Sequence, residues 1–181
     1  MLRTLFVAGL LLFAGPAHAV DRIGQYQTTL SAKANLTDDG LGYQAGELIA
    51  LLRFGPAVNV DSHDIEKRSG TIRHVVILDK SAFDDYTVRV HFFDRPLTTS
   101  HVDGSAFTLN DGDLDNLIGV ANISTWYSQA DNSVGQVLNL DMPFILSRNL
   151  TEIHAAVIAG TGPQTYDSAG DITVRVTVSQ D

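Results

Sequence analysis

Residues 171–181 read DITVRVTVSQD. Ile172, Val174, Val176 and Val178 alternate with Thr173, Arg175 and Thr177, the period of a strand with one buried and one wet face. Such a strand belongs to an antiparallel sheet packed on one side. The same period recurs upstream. TVRVHFFD (87–94) points Val88, Val90 and Phe92 inward until Pro96 stops it. TIRHVVILDK (71–80) carries Ile72, His74, Val76 and Leu78 on one face and Val75 and Ile77 on the other, which predicts a central strand. YQTTLSA from Tyr26, LIALLRF (48–54), VANISTWYS (120–128), VGQVLNLDMPFIL (134–146) and EIHAAVIA (152–159) also read as strands. The expected core contains Val76, Leu78, Val90, Phe92, Val157, Val174 and Val176.

Gly, Pro, Asp and Asn punctuate the joints, at 55–70, at ADNS (130–133) and at GTGPQTYDSAGD (160–171). One short helix is expected near residues 111–118, capped by Asn110 or Asp111, covering Leu114, Leu117 and Ile118 and closed by Gly119. No strand–helix–strand rhythm appears. The fold class that follows is all-β: a β-sandwich, jelly-roll-like, with that one helix.

The chain has 181 residues, 44% hydrophobic and 18% charged, the balance of a globular protein. Twenty-one acidic residues against twelve basic give a net charge of −9 with no basic cluster, which argues against nucleic acid as a partner. There is no cysteine, so disulfides and thiolate chemistry are excluded. The opening MLRTLFVAGLLLFAGPAHAV has the layout of a secretory leader over residues 1–19: a basic Arg3, a short apolar run and Ala17-His18-Ala19 as a cleavage site. Residues 20–181 then form a single domain. The apolar run is too short to span a bilayer and no longer one follows, so no membrane is expected for the mature form.

Motifs that could carry chemistry read better as structure. Ser62-His63-Asp64 are neighbours that point apart on an extended chain and cannot form a relay. Asp111, Asp113 and Asp115 open like a calcium loop, but Asn116 stands where its glycine belongs and Asn122 where its glutamate belongs. They suit a helix N-terminus instead. His63, His74, His91, His101 and His154 lack zinc-ligand spacing, and His74 and His154 fit core or interface positions. Tyr43, Trp126-Tyr127 and Tyr166 offer a sugar-stacking platform, with core packing the commoner use of such residues. Asn35, Asn122 and Asn149 begin glycosylation triplets, which matter only in a glycosylating host. No catalytic residue, metal or cofactor is expected.

The order HVVILDKS, VRVHFFDRP, NDGDLDNLIGV, ADNS, LNLDMPFIL, TGPQTYDSAGD, ITVRVTVSQD, from about residue 70 onward, resembles small virion-associated structural proteins of tailed bacteriophages. The likeness is weaker over 20–70. The resemblance implies a head decoration or cement module whose partners are the major capsid protein and copies of itself, as a homo-oligomer. The group has no catalytic motif to carry over. The leader-like start departs from that pattern, because a protein assembling on a cytoplasmic phage head is not exported. The alternative is a secreted or periplasmic β-sandwich binding a carbohydrate or a protein. For docking, Arg89, His91 and Phe93 share the second face of their strand and Arg175 lies on the outer face of the last. A face mixing Phe, His and Arg has an interface's composition. The plainer alternative packs Phe93 under the loop 95–107.

Overall fold

The computed structural model of the protein describes residues 26–36, 42–57, 68–81, 86–147, 149–166, 168 and 170–180. Ten strands are found there: β1 (Tyr26–Lys33), β2 (Leu48–Phe54), β3 (Ser69–Asp79), β4 (Val88–Phe93), β5 (Leu117–Ile123), β6 (Trp126–Gln129), β7 (Asn132–Val137), β8 (Met142–Ile145), β9 (Ile153–Ala159) and β10 (Ile172–Gln180). A single helical turn, α1 (Asp111–Leu114), precedes β5. The larger sheet runs β1-β10-β3-β7-β6, with β8 also on β3, and the smaller runs β2-β9-β4-β5. The chain passes back and forth between them: β1 large, β2 small, β3 large, β4 and β5 small, β6 to β8 large, β9 small, β10 large. That interleaving is a jelly roll, with β6 as an added hairpin arm.

The inner faces meet as the alternation requires. Ile172, Val174, Val176 and Val178 of β10 are buried opposite the small sheet's Val88, Val90, Phe92, Ile153 and Val157. Phe54 and Phe92 pack with ring centroids 6.4 Å apart. Each such side chain contributes about 1.5–3 kcal/mol on full burial.

Strand β3 departs from the expected face. Ile72, Val75 and Ile77 are fully buried, whereas His74, Val76 and Leu78 stay partly exposed on the outside. The reason is a bulge. Thr177 pairs with His74 but Val178 pairs with Ile72, so Arg73 is an extra residue. One extra residue reverses the side-chain phase beyond it. Val76 and Leu78 therefore drop from the expected core; Val90, Phe92, Val157, Val174 and Val176 stay in it. As a strand with neighbours on both sides, β3 is central as predicted.

The helix is shorter than predicted. Asn110 does cap it, its side chain accepting from Asp113 N at 2.6 Å. After one turn the chain must rejoin β4, where Leu117 pairs with Phe93 and Asp94 N donates to Asn116 O at 3.0 Å. Leu117 and Ile118 thus open β5. Gly119 is a strand residue whose missing Cβ leaves room for Met142, whose Sδ would lie 3.0 Å away. Two long readings also split. VANISTWYS divides where the chain changes sheets, and 134–146 divides at Asn139, which has φ 58°.

A polar network closes one end of the sandwich. Buried Asp79 accepts from Ser81 N at 2.7 Å, from the Ser81 hydroxyl and from the Tyr86 hydroxyl. Burial pushes the Tyr86 phenol far up, and the nearby Tyr166 and Asp79 push it the same way. Tyr86 lies against Trp126 at 4.4 Å, whose Nε1 donates to Tyr86 O at 2.7 Å. Tyr43 and Tyr166 are buried against each other at 5.7 Å. The platform of aromatics is therefore dispersed into the interior, with Tyr127 left exposed.

Candidate functional site

The outer face of the small sheet is where the molecule differs from a plain sandwich. The register lines up Arg53, His154, Phe93 and Leu117 in one row and Leu51, Ala156, His91 and Val120 in the next. A third row holds Leu48, Ile158, Arg89 and Asn122. Over this face lies the excursion 94–110, between β4 and α1. Its far side pairs with the start of β2: Gly104 N donates to Leu48 O and Leu48 N to Ser105 O, both at 2.9 Å. Gly104 turns there with φ 70°, which an L side chain rarely adopts.

The excursion brings its own apolar residues. Leu97, Phe107 and Leu109, with Leu117, cover Leu48, Phe93, Ala156 and Ile158 to make a second, smaller core. Asp113 locks it down from α1. Its Oδ1 accepts from Thr98 N and Oγ1, and its Oδ2 from Thr99 Oγ1 at 2.9 Å. Burial pushes the Asp113 carboxyl up, but the Thr98 and Thr99 donors outweigh it and hold the group below the usual carboxylate range.

A pocket of about 360 Å³ opens where the excursion leaves the sheet uncovered. Leu51, Phe93, Pro96 and Leu97 give it apolar walls; Arg53, His101 and His154 stand among them with Thr99 and Ser100. Burial, opposed by Glu152 and aided by Arg53, holds the His154 imidazole below its ordinary value. Burial and then the Arg89 charge do the same to His91. Phe107 meets His101 at 4.7 Å and His91 edge-on at 5.6 Å. Among the described residues Arg89 Nε, His91 Nδ1 and His101 Nε2 are buried with no hydrogen-bond partner. Among the described residues no hydrogen bond joins Ser100 or Thr99 to an imidazole, and Thr99 Oγ1 is committed to Asp113. Arg53 brings N–H donors to the pocket, and each neutral imidazole one donor and one acceptor. Among the described residues no three His, Asp or Glu side chains gather as a metal would require.

The sequence-derived interface residues are not brought together. Phe93 is fully buried beneath the excursion, so it is not a surface residue; the plainer alternative is the one the chain adopts. Arg89 and His91 are half-buried on the small sheet's outer face. Arg175 is exposed on the large sheet's outer face, on the opposite side of the sandwich. Ser62-His63-Asp64 and His63 lie outside the described residues, as does the leader-like start. His74 is half-buried and accepts from Asn139 N at 3.2 Å. Arg53 was not legible as a site residue, because only the β2–β9 register sets it beside His154. Among the described residues no helix is long and apolar enough to cross a membrane. Comparison with protein-family models and with curated proteins finds no match for the chain.

Proposed function

We propose that this protein is a non-enzymatic structural module of a tailed-phage particle, decorating or cementing the capsid in contact with the major capsid protein and with its own copies. The observation that carries the reading is the open outer face of the six-stranded sheet. Thr173, Leu78, Val134 and Tyr127 lie in one row there, and Arg175 pairs with Val76 in the next. Tyr127 is 54% exposed, and Leu78, Val76 and Val134 are partly so. Aromatic, aliphatic and Arg side chains on one flat face have the composition of an interface core. The jelly roll is also a fold that capsid proteins use, though fold alone does not assign function.

The experiment is mass spectrometry of purified particles, followed by rebinding of the purified protein to particles stripped of it. Wild type should rebind, and Tyr127→Glu should not. Absence of the protein from particles would overturn the reading. A second reading, an exported binding module, is favoured by the leader-like residues 1–19. Recovery of a processed chain beginning at Val20 from the periplasm would establish it in place of the first.

A further inference from the structure

The geometry points to the pocket between the excursion and the Arg53–His154 row as a binding site for a carboxylate carried on a small aliphatic group. This is independent of the particle reading, which rests on the opposite face. Polar groups around this pocket are unmatched. Arg53 makes no ion pair or hydrogen bond among the described residues, although Glu152, just before β9, acts on the same His154 imidazole that Arg53 does. The paired cations are instead Arg73 with Asp141 and Arg95 with Asp94. Among the described residues His101 Nε2 is buried without a partner, while Arg53 and Ser100 stand exposed at the mouth of the recess. A buried imidazole nitrogen left unused calls for a polar partner, and an unpaired guanidinium at the mouth of the same recess favours an anionic one.

The shape and walls narrow the ligand. A volume of about 360 Å³ lies at the small end of ligand pockets. Leu51 and Leu97 bring aliphatic surface, and Phe93 an aromatic wall. Leu51 is 49% exposed, an apolar surface that a bound aliphatic group would cover. A guanidinium prefers the planar, two-oxygen geometry of a carboxylate, which it grips with two parallel hydrogen bonds. An acid with an aliphatic body satisfies both halves of the pocket; a sugar leaves the cation unpaired, and a polyphosphate leaves the aliphatic wall uncovered. The carboxylate can come from a free acid or from the end of a polypeptide closing on an aliphatic residue.

The test is a titration of the full-length protein, followed by backbone amide shifts. The probes are 4-methylpentanoate for the free acid, N-acetyl-alanyl-leucine for the chain end, and 4-methylpentanamide as the neutral control. A saturable shift confined to residues 97–101 and 153–155 is expected with at least one acid, and about tenfold weaker binding with the amide. Saturation by the free acid assigns that source; saturation by the peptide alone assigns the chain end. Arg53→Gln should weaken the acid about tenfold, while Arg175→Gln, on the opposite face, should leave it unchanged. Absence of saturation with both acids would overturn the proposal. So would equal binding of the amide, a control that needs no variant to fold.

Discussion

Asp113 Oδ1 accepts both the backbone N–H of Thr98, at 2.7 Å, and its hydroxyl, at 2.8 Å. One fully buried carboxylate on a four-residue helix thus anchors an excursion fifteen positions earlier in the chain. Asp113→Ala leaves those part-buried donors unmatched and should destabilise the protein by about 1–3 kcal/mol. Urea unfolding measures the loss, and limited proteolysis should show new cleavage within 95–107. Asp113→Asn, which keeps the shape but not the charge, should fall between the two.

Stability should decline on mild acidification. His91 and His154 both sit below their ordinary values, so the folded protein binds fewer protons than the unfolded chain between those values and about pH 6.5. Their contribution is complete above about pH 6.5 and is lost as the pH falls below it. Asp113, also lowered, adds a second loss below about pH 4. Urea midpoints at pH 7.5 and 5.5 should fall in that order, and His91→Asn should reduce the gap. Equal midpoints for the wild type would contradict the burial of these imidazoles.

The bulge at Arg73 separates neighbours that strict alternation would exchange. Ile77→Ala should cost about 2–5 kcal/mol as a core truncation. Leu78→Ala, on the outer face, should cost about 1 kcal/mol or less. The reverse order in thermal or urea melts would place the strand in the other phase.

Gly135 of β7 faces Ile123 and Trp126. A Cβ built there would stand 2.6 Å from Ile123 Cγ2 and 2.8 Å from Trp126 Cζ3. Gly135→Ala should destabilise by about 1–3 kcal/mol through overpacking at this seam between the sheets. Calorimetry of the variant checks it.

The strands were legible because their pattern is local. Ile172 to Val178 and Val88 to Phe92 can bury one face only by alternating, and a reader needs nothing else to see it. What depends on pairing was hidden. Arg73 looks like any other residue of β3, and only its partner strand shows that it is supernumerary. Leu117 and Ile118 suit a helix as well as a strand until Phe93 takes Leu117 as its neighbour. The pocket lies beyond sequence reading for the same cause. Arg53, His101 and His154 come from three distant segments, and the excursion that encloses them is held by an aspartate whose spacing suggested calcium.

Among the described residues strand β1 pairs with β10 alone, and their ladder runs from Tyr26 opposite Gln180 to Lys33 opposite Thr173. During synthesis β1 therefore waits, without its partner, until residues 34–171 have emerged. Joining segments so distant carries a large loop-closure entropy, and such topologies fold slowly. Nascent chains stalled before Ile172 should lack the whole β1 side of the sheet and should be bound by chaperones. A chain released beyond Gln180 can close in one cooperative event. The working module is thus completed only once β10 is available, and a cut before Ile172 removes a fold rather than trimming one.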